Sequence, residues 1–129
     1  MGHKMRMKKG FTLIELLVVM SVIATLLTIA VPRYFQYLDR AREAALRESL
    51  ATMRDALDKY RADTGTFPET LDELVKRRYL RSVPPDPITE SRESWVLVAP
   101  PDAPGARAVW DVHSGSEGKA LDGSDYASW

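Results

Sequence analysis

The chain has 129 residues, a formal net charge of zero and no cysteine. This length suffices for one small domain plus an anchor, and the lack of cysteine excludes disulfides, a thiol nucleophile and cysteine-type zinc sites. The first ten residues hold four cations and no acid, which leaves 14 cations against 18 acids in the rest of the chain. We therefore expect no nucleic-acid partner, because phosphate binding needs a basic face.

A basic leader, residues 1–10, precedes an apolar segment. Of the 21 residues from Phe11 to Val31, 16 are apolar and only Glu15 is charged, and a helix of that length spans roughly 30 Å, the thickness of a bilayer core. The segment exceeds the apolar part of a cleaved secretory signal and ends at Pro32 without a small-residue cleavage site, so we predict that it stays with the protein. Cations on its N-terminal flank predict a cytoplasmic N-terminus and an exported C-terminal body.

Glu15 is the anomaly in this segment, because a carboxylate inside hydrocarbon costs several kcal/mol and usually has a partner. One interpretation is that Glu15, a turn away from Lys8 and Lys9, reaches back to the membrane interface. The other is that cleavage after Gly10 leaves an α-amino cation on Phe11. Glu15 would then pair with the amine of a neighbouring subunit and set the axial register of an assembly.

The pattern beyond the apolar segment predicts that the same helix continues from Phe11 to about Ala62. Residues 33–61 contain neither glycine nor proline, and their apolar positions recur with helical spacing. This stripe comprises Leu46, Leu50, Met53, Leu57 and Tyr60. The acid-first pairs Glu43–Arg47 and Asp55–Lys59 indicate a solvated opposite face.

Pro32 falls inside this helix. Its ring removes a backbone donor and crowds the carbonyl of Thr28, which predicts a kink or a local opening.

The remaining residues predict a small head. Thr70 and Glu73 have capping-box spacing and start a short helix over Leu71–Arg78. Two strands, Ser94–Ala99 and Arg107–His113, flank a proline- and glycine-rich turn and form an antiparallel hairpin. We expect Trp95, Trp110 and Trp129 to anchor the core. The predicted class is α+β, with the long helix packed on a head that contains the short helix and the hairpin.

The residues around the start of the apolar segment, KGFTLIELLVV, resemble the N-terminal signal of type IV pilins and type II secretion pseudopilins. The resemblance includes Gly10 before the cut, Phe11 after it, Glu15 at the fifth mature position and Pro32 at the 22nd. It implies that a prepilin peptidase cleaves after Gly10 and methylates the Phe11 amine. It also implies that Glu15 sets subunit register and that the segment before Pro32 can melt and extend in a filament.

The order of elements in the head also resembles that of the major pseudopilins of type II secretion. The implied organisation is a leader (residues 1–10), a transmembrane and assembly segment (11–32) and a periplasmic pilin-like head (33–129) that includes the second half of the helix. The implied location is the bacterial inner membrane and then a periplasmic filament. The implied partners are other copies of the chain, minor pseudopilins, the prepilin peptidase and the inner-membrane assembly platform.

The C-terminal loop carries Glu117, Asp122 and Asp125 among several glycines. Such acidic, glycine-rich loops are usually just solvated, yet three carboxylates within nine residues could also wrap a hard cation. The pseudopilin resemblance implies a calcium site here, with Glu117 and Asp125 at matching positions. The loop departs from the family pattern because it is shorter and has glutamate in place of the first aspartate.

No motif for a soluble enzyme occurs in the sequence, and His113 is interpreted as an ordinary histidine at a strand edge. We therefore predict a structural, non-enzymatic pseudopilin subunit that polymerises into the filament of type II secretion. One alternative is a major or minor type IV pilin for adhesion, motility or DNA uptake. A second is a periplasmic binding or enzyme domain that is anchored by its signal and in which Glu15 is incidental.

Overall fold

The computed structural model describes residues 10–129, so the predictions on the leader cations lie outside the described residues. The described elements are α1 (Leu13–Thr64), α2 (Leu71–Lys76), β1 (Val96–Val98), β2 (Asp111–His113) and a short 3₁₀ helix (Tyr126–Ser128). They divide into two compact units, one reaching to Tyr37 and the other extending from Leu38 to Trp129. The α+β class of the prediction is confirmed.

Helix α1 covers nearly the predicted range and includes Pro32 in its interior. Gly65 caps the C-terminal end of α1. Its amide donates to the carbonyl of Arg61 at 2.9 Å, and its φ of +78° suits glycine. The residues on both sides of Pro32 are helical. The kink itself stays a prediction.

The apolar stripe of α1 forms one wall of the head core, as predicted. Its five members and Ala56 are buried, and they pack against α2, the hairpin and the C-terminal residues. Full burial of such a side chain contributes about 1.5–3 kcal/mol. The core comprises Leu46, Leu50, Met53, Ala56, Leu57, Tyr60, Leu71, Leu74, Leu80, Trp95, Val109, Val112, Ala120 and Tyr126.

Helix α2 starts as predicted and ends two residues earlier than predicted. The Thr70 hydroxyl accepts a hydrogen bond from the Glu73 amide at 3.3 Å, and the Glu73 carboxylate accepts one from the Glu69 amide at 3.2 Å. Arg78 adopts a φ of +65° directly after the helix, and its amide donates to the carbonyl of Val75. This left-handed residue ends the helix, because it turns the chain out of the helical path.

The hairpin is antiparallel as predicted, but each strand has only three residues. Its register pairs Val96 with His113, Leu97 with Val112 and Val98 with Asp111. The Trp110 amide still donates to the carbonyl of Val98 at 2.8 Å, but one residue earlier the pairing stops, because the Val109 amide donates to the carbonyl of Pro68 at 2.7 Å instead of to β1.

The tryptophans do not act as three core anchors. Trp95 is buried, and its indole N–H donates to the carbonyl of Pro84 at 2.7 Å. Trp129 is half-buried, and Trp110 is 42% exposed. The prediction is therefore wrong for Trp110, whose neighbour Val109 is the residue that points into the core. Alternation along an extended chain places successive side chains on opposite faces.

A buried carboxylate organises the connector between α2 and the hairpin. Asp86 is fully buried, and its two oxygens accept hydrogen bonds from the Ile88 amide at 2.9 Å and from the Ser114 hydroxyl at 2.5 Å. These bonds tie the connector to the residue that follows β2. This polar side chain is tolerated in the core because both of its oxygens have hydrogen-bond partners.

Gly115 lies against the backbone at Ser94, just before the hairpin. A Cβ added to Gly115 would lie 2.9 Å from the carbonyl carbon of Ser94 and closer still to its oxygen, so the backbone would have to move. We predict that Gly115→Ala lowers the free energy of unfolding by about 1–3 kcal/mol. The measurement is thermal unfolding of the full chain in detergent, followed by tryptophan fluorescence.

Gly105→Ala is the matched control. A Cβ at Gly105 meets no atom within 4 Å, so this variant should unfold close to the parent temperature. Equal unfolding temperatures for the two variants would contradict the packing of Gly115 on Ser94.

Candidate functional site

The N-terminal part of α1 exposes an apolar surface that the described residues, 10–129, do not cover. Every residue from Gly10 to Tyr37 is exposed, and by length and composition α1 is the one described helix that could cross a membrane. The large apolar side chains of this surface are Phe11, Leu13, Ile14, Leu16, Leu17, Val18, Val19, Met20, Val22, Ile23, Leu26, Leu27, Ile29 and Val31.

Glu15 has a partner in its own chain. The Thr12 hydroxyl accepts a hydrogen bond from the Glu15 amide at 3.1 Å, and the Glu15 carboxylate accepts one from the Thr12 amide at 3.4 Å. This reciprocal pair is a capping box, which satisfies two orphan donors at the start of α1. It also places a carboxylate at the positive end of the helix dipole. Neither sequence interpretation of Glu15 included this contact.

The capping box lies beside the predicted cleavage point. Gly10 and Phe11 precede α1 and are exposed, and the Phe11 side chain is 81% exposed. An exposed, non-helical backbone on both sides of the Gly10–Phe11 bond is the form in which a peptidase can reach it. Pro32 lies at the other end of the apolar segment, far along the helix.

Three hydroxyl side chains in the apolar segment are satisfied locally. Ser21, Thr25 and Thr28 each donate to the carbonyl four residues earlier, at 2.7–2.8 Å. Such back-bonding removes the cost of an unpaired hydroxyl in an apolar environment. The segment therefore remains compatible with hydrocarbon despite these polar residues.

In the head, Glu43 faces the C-terminal residues. One carboxylate oxygen accepts hydrogen bonds from the Leu121 amide at 2.7 Å and from the Tyr126 hydroxyl at 2.9 Å. The predicted pair between Glu43 and Arg47 is wrong, because Arg47 instead lies over the ring of Trp129, 4.4 Å from its centroid. The predicted pair Asp55–Lys59 is present at 3.0 Å.

Three helical turns further on, Arg54 binds β2 and the last residue of the C-terminal segment. Its guanidinium donates to the Asp111 carboxylate at 2.8 Å, to the carbonyl of Val112 at 3.0 Å and to the backbone oxygen of Trp129 at 2.6 Å. His113 also contacts that Trp129 oxygen, at 2.6 Å. His113 is thus part of a structural network, in agreement with its interpretation as an ordinary edge histidine.

The structure does not bring the predicted calcium ligands together. Within residues 10–129 there is no group of three or more Asp, Glu or His side chains that could hold a metal ion. One Asp122 oxygen accepts hydrogen bonds from the Ser124 amide at 2.9 Å and from its hydroxyl at 2.6 Å. Glu117 and Asp125 are exposed. Because calcium takes six to eight oxygen ligands, this donor set does not fit it.

Comparison with known proteins connects the N-terminal geometry to a family. Residues 5–31 match the family described as the prokaryotic N-terminal methylation motif. This match contains the Gly10–Phe11 bond, the capping box and the whole apolar surface. The chain therefore carries the N-terminal methylation motif of type IV pilins.

Several known proteins match this chain over nearly its full length. Type II secretion system core protein G of Pseudomonas aeruginosa is 28% identical over 96% of this chain and 96% of its own. The protein of the same name from Escherichia coli is 25% identical over 95% and 91%. Fimbrial protein EcpC of Eikenella corrodens is 29% identical over 92% and 80%. No solved structure gives a significant match.

Sequence reasoning missed Thr12, Glu43, Arg54 and Asp86. Thr12 had the same signal as Thr70, a threonine three residues before a glutamate. Glu43 and Arg54 are eleven residues apart and therefore lie on one helix face. The prediction that Glu43 lies on a solvated face overlooked this spacing. For Asp86, placed between prolines, no sequence signal indicated burial.

The contact with Glu43 predicts a pH dependence. Burial, together with the hydrogen bond and charge of Glu43, raises the pKa of Tyr126 from 10.0 to about 12. The folded state therefore favours the neutral phenol of Tyr126. The stabilisation that results is complete below pH 10 and is lost as the pH rises toward 12. We expect Tyr126→Phe to lose less stability than the parent over this range.

The measurement is the unfolding temperature as a function of pH, with Tyr34→Phe, at an exposed tyrosine, as the control. Some alkaline loss will remain in Tyr126→Phe, because the Asp63 hydrogen bond also raises the pKa of Tyr79, and burial together with the Glu73 hydrogen bond raises the pKa of Tyr60. Parallel curves for the parent and Tyr126→Phe would contradict the contact.

Proposed function

We propose that the chain is a structural pseudopilin subunit rather than an enzyme. In this proposal a prepilin peptidase cleaves the precursor between Gly10 and Phe11 and methylates the Phe11 amine. The mature chain then polymerises through its N-terminal helix into a periplasmic filament that serves type II protein secretion.

The observation that carries this proposal is the uncovered apolar surface of α1 between Leu13 and Val31. Apolar surface on this scale is rare on a soluble monomer and marks a membrane or protein contact. The methylation motif covers the same residues, and full-length relatives are named as core proteins of a secretion system. Together these observations support a helix that is covered first by lipid and then by other copies of the chain.

In the membrane stage, the leader cations place the N-terminus in the cytoplasm and the head in the periplasm. The capping box lets α1 start with its amides satisfied before cleavage. After cleavage, Glu15 would exchange this local bond for the methylated amine of a neighbouring Phe11. Minor pseudopilins and an inner-membrane platform would be the remaining partners.

A type IV pilin is the second candidate. It is favoured by the similarity to fimbrial protein EcpC, which extends over 92% of this chain. In that case the filament would act at the cell surface, in adhesion, motility or DNA uptake.

A deletion strain separates these two functions. We expect exoproteins to accumulate in its periplasm while twitching motility is retained, and the intact gene to restore secretion. Loss of twitching with normal exoprotein release would instead support the type IV pilin.

Variants at Glu15 and Thr12 separate helix capping from charge pairing. Glu15→Gln keeps an oxygen acceptor for the Thr12 amide but removes the charge. Thr12→Ala keeps the charge but removes the capping hydroxyl, which is worth about 1 kcal/mol. We expect Thr12→Ala to assemble and Glu15→Gln to be cleaved but to form few filaments.

The readouts are the N-terminal mass of each variant and the amount of filament recovered by shearing or crosslinking. Thr12→Ser, which retains a capping hydroxyl, is the control. Normal filament yield from Glu15→Gln would show that the charge of Glu15 does not set the register.

A further inference from the structure

The segment after β2 is closed by serine side chains. The Ser116 hydroxyl accepts a hydrogen bond from the Gly118 amide at 3.0 Å. The Ser124 hydroxyl donates to Asp122 at 2.6 Å and accepts from the indole N–H of Trp129 at 2.8 Å. Ser116 thus closes a local turn, and Ser124 links Asp122 to Trp129.

The backbone of the same loop is paired with itself. The Ala120 amide donates to the carbonyl of Ser124 at 2.7 Å, and the Gly123 amide donates to the carbonyl of Ala120 at 3.0 Å. The Tyr126 amide donates to the carbonyl of Gly118 at 3.1 Å. Carbonyl oxygens are common calcium ligands, but these three already accept hydrogen bonds within the loop.

The loop is held to α1 at two points on one face of the helix. Glu43 and Arg54 are eleven residues apart, which is three turns and a rise of about 16 Å. Glu43 binds Leu121 and Tyr126 within the segment, and Arg54 binds the backbone oxygen of Trp129 at its end. Between them, Arg47 stacks over the Trp129 ring. The helix therefore supplies both an acceptor and a donor to fix the segment.

We propose that Glu43 and Arg54 fasten the C-terminal segment, residues 116–129, to α1 and that Ser116 and Ser124 close it, so that its stability does not depend on bound calcium. One oxygen of Asp122 is already bonded to Ser124, and a calcium ion would also need the exposed carboxylates of Glu117 and Asp125 to turn inward from solvent. Such a rearrangement would disturb the hydrogen bonds that hold the loop closed. The chain thus replaces a metal by charged side chains of its own helix.

Calcium dependence of unfolding is the direct test. Trp95, Trp110 and Trp129 all lie in the head, so tryptophan fluorescence of the full chain in detergent reports on this unit. We expect the melting curves in EDTA and in excess CaCl2 to coincide. A melting temperature several degrees higher in CaCl2, or a saturable calcium-binding heat by calorimetry, would overturn the proposal.

A second arm tests the fastening itself. Glu43→Ala leaves the Leu121 amide and the Tyr126 hydroxyl without their acceptor, and we expect the melting temperature to fall by about 5–10 °C in both solutions. Glu48→Ala, at an exposed glutamate on the same helix, is the matched control and should melt with the parent. Equal melting of Glu43→Ala and Glu48→Ala would overturn the role of Glu43.

This test is independent of the proposed filament. The melting curves involve neither cleavage nor assembly, so a calcium-dependent result would leave the pseudopilin function untouched. Conversely, a chain that proved to be a pilin would keep the same loop contacts.

Discussion

Between Leu13 and Val31 helix α1 exposes apolar side chains on all sides, and no residue of the described range 10–129 covers them. At about 25 cal/mol per Å² of apolar surface, leaving this segment in water would cost many kcal/mol. The segment must therefore be covered by lipid or by another protein. The features near it serve that requirement: the capping box satisfies the first amides, and three hydroxyls bond back to the helix.

The core of the head does not use the exposed apolar surface between Leu13 and Val31. It uses a different part of α1, from Leu46 to Tyr60, and closes around it with α2, the hairpin and the C-terminal segment. Because disulfides are impossible, the long loops are held by buried or half-buried polar groups. Asp86 ties the connector to Ser114, and Glu43 and Arg54 tie the C-terminal segment to the helix.

Most of the fold was predictable because its signals are local. The helical stripe from Leu46, the cap at Thr70 and the turn between the strands each follow from neighbouring residues. Some errors were local, such as the overlooked cap at Thr12, but the larger ones concern contacts between distant parts of the chain. Glu43 bonds to residues 78 and 83 positions away, so local spacing suggested Arg47 as its partner instead. The calcium prediction came from resemblance and composition, and neither indicates that one oxygen of Asp122 is bonded to Ser124.

The proposed filament requires a mature helix that begins where the apolar surface begins. Mass spectrometry of the protein extracted from membranes tests this most directly. We predict an N-terminus at Phe11 that is heavier by one methyl group. A chain that still begins at Met1, or one that is cut at the far end of the apolar segment, would contradict it.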